Sequence, residues 1–332
     1  MTEDSTSDFL ALLQRDGVVR SAAARLTPLA GGVSCDIHLV EDGGEKFVVK
    51  RALAKLRVKA DWYADVNRNR SEWEYIRYVA NFLPEAVPSV RHVSTEGNYF
   101  AMEHLGGGFK NWKQLLLFGI ADAGAAARAG KLLAEIHRRS AGDVEARRVF
   151  DTTANFFQLR IEPYLLATGA KHPALNPLFK AEATRLEQVR ECLVHGDFSP
   201  KNILVSGDRM VILDCEVAWY GDPAFDLAFF LNHLLLKALF HAPKEAGIPA
   251  MVLQFWAAYQ AARPSAEIGL RAGRLLLMLL LARVDGKSPV EYLDAERRNF
   301  VRQFVRTNLP AEIFSPQQVA AAWFKQLKTL QT

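Results

Sequence analysis

The period of the apolar positions changes about a third of the way along the chain. Phe9 to Leu13 carries helical spacing, and LTPLAGGVSCDIHLVEDGGEKFVVKRA then reads as strands around a Gly-Gly pair. A second turn is predicted at Glu41-Asp42-Gly43-Gly44, followed by a strand through Phe47-Val48-Val49-Lys50. Between residues 70 and 83, Trp73, Ile76, Val79 and Ala80 recur at helical spacing, and Pro84 lies just beyond the end. VPSVRHVS and NYFAMEHL read as two further strands. The expectation is a small antiparallel sheet carrying one helix.

From Gly106 the pattern turns helical. AGAAARAGKLLAEIHRRS, LFKAEATRLEQVREC, PAFDLAFFLNHLLLKALF, GRLLLMLLLARV and VAAAWFKQLKTL all carry the helical period. One island between residues 192 and 220 departs from it. There CLVHGDFSPKNILV and RMVILDCEVAWYG predict two short strands joined at Ser206-Gly207-Asp208, with a loop on either side. No repeat, low-complexity linker or charge block interrupts the chain, so the one boundary signal is Gly106-Gly107-Gly108. The expected fold class is α+β, with a sheet-bearing N-terminal lobe over residues 1–105 and a large helical lobe over 106–332. The longest aliphatic run, Leu275 to Ala282, is closed by Arg274 and Arg283, well short of the roughly 18 residues of a membrane span. It predicts a buried helix.

Composition narrows the function classes. A chain of 332 residues that is 50% hydrophobic and 23% charged folds around a core, which sets aside disorder, collagen and coiled coil. With 41 Lys plus Arg against 37 Asp plus Glu the net charge is +4, too small to point to nucleic acid. Cys35, Cys192 and Cys215 lie far apart with no C-x-x-C, so neither a disulfide framework nor a zinc site is expected. The segment MTEDSTSDFLALLQRDG is acidic and lacks the basic region of a signal peptide. These features predict a cytoplasmic chain that engages neither nucleic acid nor a membrane.

The densest polar cluster in apolar surroundings is His195-Gly196-Asp197-x4-Asn202, followed by Asp214-x-Glu216. Asp197 follows one predicted strand and Asn202 precedes another, so both fall in one loop, and Asp214 ends the second strand of the hairpin. Oxygen ligands gathered without any soft ligand suit Mg²⁺ held partly through substrate phosphates, rather than zinc or copper. Turn residues that merely satisfy backbone groups are the competing explanation.

H-G-D-F-S-P-K-N-I-L together with V-I-L-D-C-E closely resembles the catalytic and metal loops of the aminoglycoside phosphotransferase and choline kinase superfamily, small-molecule relatives of the protein kinases. The resemblance implies a protein kinase-like bilobal fold, with a nucleotide-binding N-terminal lobe, and an ATP- and Mg²⁺-dependent transfer of phosphate to a small-molecule hydroxyl acceptor. It implies that Asp197 orients the acceptor hydroxyl or takes its proton, and that Asn202 and Asp214 hold the Mg²⁺ ions bridging the ATP phosphates. Lys50 would contact those phosphates, and Glu72 on the following helix would be its ion-pair partner, Glu74 facing another side. Leu29-Ala30-Gly31-Gly32-Val33-Ser34 resembles the family's L-x-G-G-x-S phosphate loop, with Cys35 where Asn is common. Met102-Glu103-His104-Leu105 resembles the hinge, in which the backbone of Glu103 and Leu105 pairs with adenine and Met102 backs the pocket. His195 is expected to order the catalytic loop, and Asp226 to accept hydrogen bonds from its backbone. His137 in A-E-I-H-R reads as a helix-surface or packed core histidine.

Asp214-x-Glu216 in place of Asp-Phe-Gly is similar to the methylthioribose kinases, in which the corresponding glutamate also serves the metal site. Further likeness lies in Val49-Lys50-Arg51-Ala52-x4-Arg57 and in W-Y-G-D-P-A-F-D-L-A-F-F-L-N-H-L-L-L-K-A-L. F-S-P-K-N is closer to the aminoglycoside and choline kinase pattern, with Lys201 where a small residue is usual. The acceptor implied is a sugar, an amino alcohol or a related small hydroxyl compound. Asp222 brings no acidic cluster to receive a polycationic antibiotic, and Trp219 and Tyr220 are candidates to line the acceptor pocket. Asp226 follows Asp214 by twelve residues, too few for the long activation segment of a protein-substrate kinase. Two other classes compete: a nucleotide-binding regulatory module without phosphotransfer, and a structural interaction protein. Turnover separates the first from a kinase, and Mg²⁺-dependent nucleotide binding separates the second.

Overall fold

The computed structural model describes residues 3–29, 35–52, 68–244, 247–311 and 315–331. The chain divides into two compact units. The first comprises Met1–Phe109 together with Leu213–Glu216, the second Lys110–Ile212 and Val217–Thr332.

In the first unit helix α1 (Glu3–Arg15) precedes strands β1 (Arg25–Pro28), β2 (Cys35–Asp42) and β3 (Glu45–Ala52). Helix α2 (Arg68–Ala80) and strands β4 (Val90–Ser94) and β5 (Tyr99–Glu103) follow. The strands form one antiparallel sheet in the order β1-β2-β3-β5-β4. Gly43 and Gly44 join β2 to β3 with φ of 57° and 92°, the left-handed pair that a two-residue hairpin turn requires. β3 is the middle strand and is buried on both faces, which is why Phe47-Val48-Val49-Lys50 is a continuous buried run rather than an alternation. Phe47 and Val49 pack with Phe9 and Leu13 of α1, Val40 and Tyr99, and the Phe9 and Tyr99 rings meet edge to face at 5.6 Å. Strand alternation therefore turns Lys50 to the other face of the sheet.

Helix α2 buries Arg68, Asn69, Ser71, Glu72, Tyr75, Ile76 and Val79, while Trp73 is only half-buried, with the Arg77 guanidinium 4.9 Å above its ring. Apolar spacing alone expects Trp73 on the inner face. The helix is turned instead to bring two charged side chains, Arg68 and Glu72, to buried partners.

The second unit begins with strand β6 (Lys110–Asn111) and helices α3 (Trp112–Leu117), α4 (Ala123–Ser140), α5 (Val144–Val149) and α6 (Thr153–Phe156). A π-helical stretch over Phe157–Leu166 leads into α7 (Ala167–Lys171) and α8 (Asn176–Gln188). The expected strand island follows as β7 (Cys192–Val194), β8 (Ile203–Ser206), β9 (Arg209–Ile212) and β10 (Trp219–Gly221). Helices α9 (Ala224–His241), α10 (Ile248–Ala262), α11 (Ala266–Asp285), α12 (Ala295–Asn308) and α13 (Pro316–Leu327) close the chain. β7 pairs with β10, and β8 with both β6 and β9, all antiparallel.

The helical core is built by α4 against α10 and α9 against α11. At the first contact a Cβ on Gly130 would lie 2.2 Å from the Phe255 carbonyl oxygen, so only glycine permits the approach. The Phe230 ring stands 5.5 Å from Trp112, 5.5 Å from Phe198 and 4.2 Å from Phe255. Leu275 to Ala282 is buried throughout, as its composition predicts. Among the described residues α9 alone is long and apolar enough to cross a membrane, and 89% of it is buried inside the protein. The three cysteines are buried thiols outside any disulfide.

Candidate active site

Two groups of polar side chains are assembled, one in each unit. In the first, the Lys50 Nζ lies 2.9 Å from Glu72 Oε1, 2.7 Å from Glu72 Oε2 and 2.7 Å from Asp214 Oδ1. The Lys50 and Glu72 side chains are 4% and 2% exposed, and Asp214 is 25% exposed, so the aspartate is the open member. Burial disfavours the ammonium, but the Asp214 and Glu72 carboxylates outweigh it and hold the lysine well above its ordinary pKa. Burial pushes Glu72 up to about 7 against the pull of Lys50, and the Asp214 charge adds to the rise. One cation is shared by two carboxylates. Asp214 itself adopts φ of 62°, a left-handed conformation that costs a non-glycine residue about 1–2 kcal/mol.

Two residues on, the buried Glu216 accepts a hydrogen bond from Arg68 Nε at 3.0 Å, and the Cys35 thiol lies 3.5 Å from the same carboxylate. Burial raises the Cys35 pKa, so the thiol stays protonated and can donate. Glu74, on another side of α2, meets Arg70 at 3.7 Å and takes no part. At the end of β5 the Glu103 N–H donates to the Ser89 carbonyl at 2.9 Å, Met102 is buried opposite Val48, and Leu105 is half-buried. Gly31, Gly32 and Ser34 lie outside the described residues.

In the second unit the loop after β7 is anchored by Asp226 in the first turn of α9. Its fully buried carboxylate accepts the N–H groups of His195 at 2.7 Å and Gly196 at 2.9 Å, as the sequence predicts for this position. His137 is a packed core residue, with Nε2 3.3 Å from Asp226 and Nδ1 3.0 Å from the Tyr259 hydroxyl. Burial lowers its pKa against the pull of Asp226; the neutral ring donates from Nε2 and accepts at Nδ1. His195 orders the loop a second time, its Nδ1 accepting the Asp197 N–H at 3.1 Å. Gly196 has φ of 75°, and a Cβ there would lie 2.6 Å from the Val217 carbonyl oxygen. Phe198 plugs into the aromatic core, so the Asp197 backbone is held on both sides.

The Asp197 carboxylate, 15% exposed, is fixed at both oxygens. Asn202 Nδ2 donates to Oδ2 at 2.8 Å and to the Asp197 carbonyl at 3.1 Å, and Arg160 Nη2 lies 3.1 Å from Oδ1. With its Nδ2 committed, the Asn202 amide offers Oδ1 as an oxygen donor. Arg160 was not evident from sequence. It sits in the π-helical stretch, where Nε donates to the Gly196 carbonyl at 2.5 Å and the guanidinium lies 5.6 Å from the Tyr164 ring and 5.5 Å from Phe229. Its one sequence signal is a lone arginine within the apolar F-F-Q-L-R-I-E-P run. Among the described residues no three His, Cys, Asp or Glu side chains converge as a ready metal cage. Taken one by one, the Asn202 amide oxygen and the Asp214 carboxylate are hard oxygen donors.

Two expectations fail on burial. Trp219 is fully buried, stacked on Phe156 at 4.0 Å and 17°, and Tyr220 bonds through its hydroxyl to the Ser140 carbonyl at 3.1 Å and the Glu191 carbonyl at 3.0 Å. The pairing of β10 with β7 internalises both, so neither lines an acceptor pocket. Asp222 is also fully buried; Arg185 and Arg271 neutralise it, and it caps α9 by accepting the Ala224 N–H at 2.9 Å.

The methylthioribose kinase of Geobacillus kaustophilus (strain HTA426) is 26% identical over 277 residues, covering 71% of this chain and 67% of that kinase. Across the methylthioribose kinases compared, the aligned part is 55% to 67% of the relative's own length. The microcompartment-associated aminopropanol kinase superposes with a TM-score of 0.55 at 15% identity, over 97% of this chain and 98% of that one. The aminoglycoside phosphotransferase from Alicyclobacillus acidocaldarius subsp. acidocaldarius DSM 446 gives 0.52 at 15% identity, over 93% and 94%. These likenesses establish a mixed α+β, protein kinase-like fold. Residues 25–268, a span that holds Lys50, Glu72, Asp197, Asn202 and Asp214, match the phosphotransferase enzyme family, and the chain belongs to that family, alongside small-molecule kinases.

Proposed function

We propose that this chain moves the γ-phosphoryl group of ATP, with Mg²⁺, to a hydroxyl of a small molecule such as a sugar, an amino alcohol or a related metabolite. Asp197 carries the reading: a partly open carboxylate whose two oxygens are fixed by Asn202 and Arg160 on a loop tied to Asp226. A carboxylate held this way can align an acceptor hydroxyl for in-line attack and accept its proton. Lys50, set by Glu72 and Asp214, would meet the nucleotide phosphates, with Gly31, Gly32 and Ser34 offering backbone N–H groups. Met102, Glu103 and Leu105 would border the adenine. Asn202 and Asp214 would hold Mg²⁺, with Glu216 supporting the Asp214 segment through Arg68; bound there, the metal neutralises charge on the transferred phosphate. The aminopropanol and methylthioribose named for the related kinases support a small hydroxyl acceptor, and three buried cysteines outside any disulfide suit the cytoplasm.

The test is Mg²⁺-dependent ADP release across sugars, methylthioribose, amino alcohols, amino acids and aminoglycosides, with Asp197→Asn run alongside. Acceptor-dependent release is expected to fall by roughly 10²–10⁴ in the variant while ATP still binds. Full activity in Asp197→Asn removes the catalytic assignment. ATP binding without turnover of any acceptor makes the chain a regulatory module.

A further inference from the structure

Helix α9 runs on from the Asp226 anchor and carries Phe229, His233 and Lys237 at four-residue spacing, hence on one face. Phe229 lies beneath Arg160, the arginine that holds Asp197, and its ring meets His233 at 5.2 Å. Lys237 follows two turns later, about 12 Å along the axis from Phe229. Its side chain is 0% exposed, yet among the described residues no carboxylate pairs with it. Nζ makes one long bond, 3.4 Å to the His233 carbonyl, and lies 5.5 Å from the centre of the Tyr292 ring.

The surroundings of Lys237 are short of negative charge. Arg283 of α11 bonds to Tyr164 Oη at 3.3 Å and to Ser288 Oγ at 2.9 Å, while its buried Nε has no partner. The buried Tyr292 hydroxyl has none either. Lys113 and Lys201 add positive potential at His233, and the carboxylate that acts on Lys237, Glu291, is bound to Lys113 at 2.6 Å. Burial and these neighbouring cations bring Lys237 down to about 7. A buried ammonium without a counter-ion is costly, and this one, on the helix face whose Phe229 meets Arg160, marks a place where a ligand would supply that counter-ion.

We propose that the phosphate acceptor is an anionic hydroxy compound, a carboxylate or a phosphate ester, whose negative group is received by Lys237, Arg283 and the Tyr292 hydroxyl while its reacting hydroxyl lies at Asp197. The proposal rests on the kinase reading above and names its substrate class. Tyr292 is half-buried with a hydroxyl that makes no hydrogen bond, and its neighbour Glu291 is exposed and paired with Lys113. A cationic amino alcohol would meet Lys113, Lys201, Lys237 and Arg283 and be repelled.

Matched six-carbon acceptors test it. ADP release is measured with gluconate, sorbitol 6-phosphate, sorbitol and glucamine, and binding of inorganic phosphate is followed by thermal shift in wild type, Lys237→Met, Tyr292→Phe and Lys50→Met. Phosphate is expected to stabilise wild type and Lys50→Met, with affinity about tenfold or more weaker in Lys237→Met and a smaller loss in Tyr292→Phe. Turnover should favour the anionic acceptors, with KM rising more than kcat falls in Lys237→Met; the better of gluconate and sorbitol 6-phosphate identifies the anion. Equal phosphate binding in wild type and both pocket variants, or faster turnover of sorbitol or glucamine than of the anions, overturns the proposal. Phosphate binding that depends on Lys237, with no acceptor turned over, retains the anion site and overturns the transfer reading instead.

Discussion

Lys50 and Lys237 are both buried lysines, and their neighbours send them in opposite directions. Lys50 has two carboxylates and is held above the ordinary value of 10.5; Lys237 has none at bonding distance and falls to about 7. The folded protein therefore keeps the Lys50 proton at pH values where the unfolded chain has lost it. Stability from Lys50 is complete below 10.5 and is lost as the pH climbs through the raised value. Lys237 behaves in reverse. Between about 7 and 10.5 the unfolded chain binds the proton and the folded one does not, so its contribution to stability rises with pH across that window. Thermal melts of Lys237→Met are expected to show a higher Tm than wild type at pH 6 and a flatter rise between pH 7 and 10. An unchanged pH dependence would mean that Lys237 stays charged in the fold. Glu72, raised from 4.5 to about 7, keeps its proton in the folded state across that interval, so stability from it falls as pH rises from 4.5 to 7. That fall should vanish in Glu72→Gln.

At the scale of the elements, two glycines set how closely backbone segments meet. Gly130→Ala would press a Cβ against the Phe255 carbonyl and force α4 from α10, an overpacking cost of about 1–3 kcal/mol that a lowered Tm would report. Gly196→Ala combines a left-handed φ with a Cβ aimed at the Val217 carbonyl, in the loop that carries Asp197. Its expected signature is different: turnover drops by at least about tenfold while Mg²⁺-ATP binding is kept, because the strain falls on the catalytic loop. Equal loss of both would place the damage in the fold as a whole. The strands, the Gly43-Gly44 turn and the long helices follow from local period and punctuation. The inner face of α2 does not, because Arg68 and Glu72 are buried by charge partners distant in sequence and Trp73 gives way to them.

For the whole molecule the expectation is linkage. A ligand bound only by the folded chain at one hundred times its Kd adds about 2.7 kcal/mol, so Mg²⁺ with ATP should raise Tm, and Lys50→Met or Asp214→Asn should abolish most of the rise. An identical rise with ATP in EDTA would remove the metal from the site. The sequence by itself determined the α+β plan, the hairpin turns and the loop pairing Asp197 with Asn202, since each depends on local period, on residues a few positions apart or on a short strand-loop-strand frame, and it pointed to the anchoring by Asp226 because a bare carboxylate at the start of an apolar helix needs N–H donors. Tertiary structure alone decided that Arg160 locks the Asp197 carboxylate, that Trp219, Tyr220 and Asp222 are interior, and that Lys237 is buried without a carboxylate. Those outcomes depend on which helix faces which, and side chains far apart in sequence acquire their partners and their dielectric only when the helices pack.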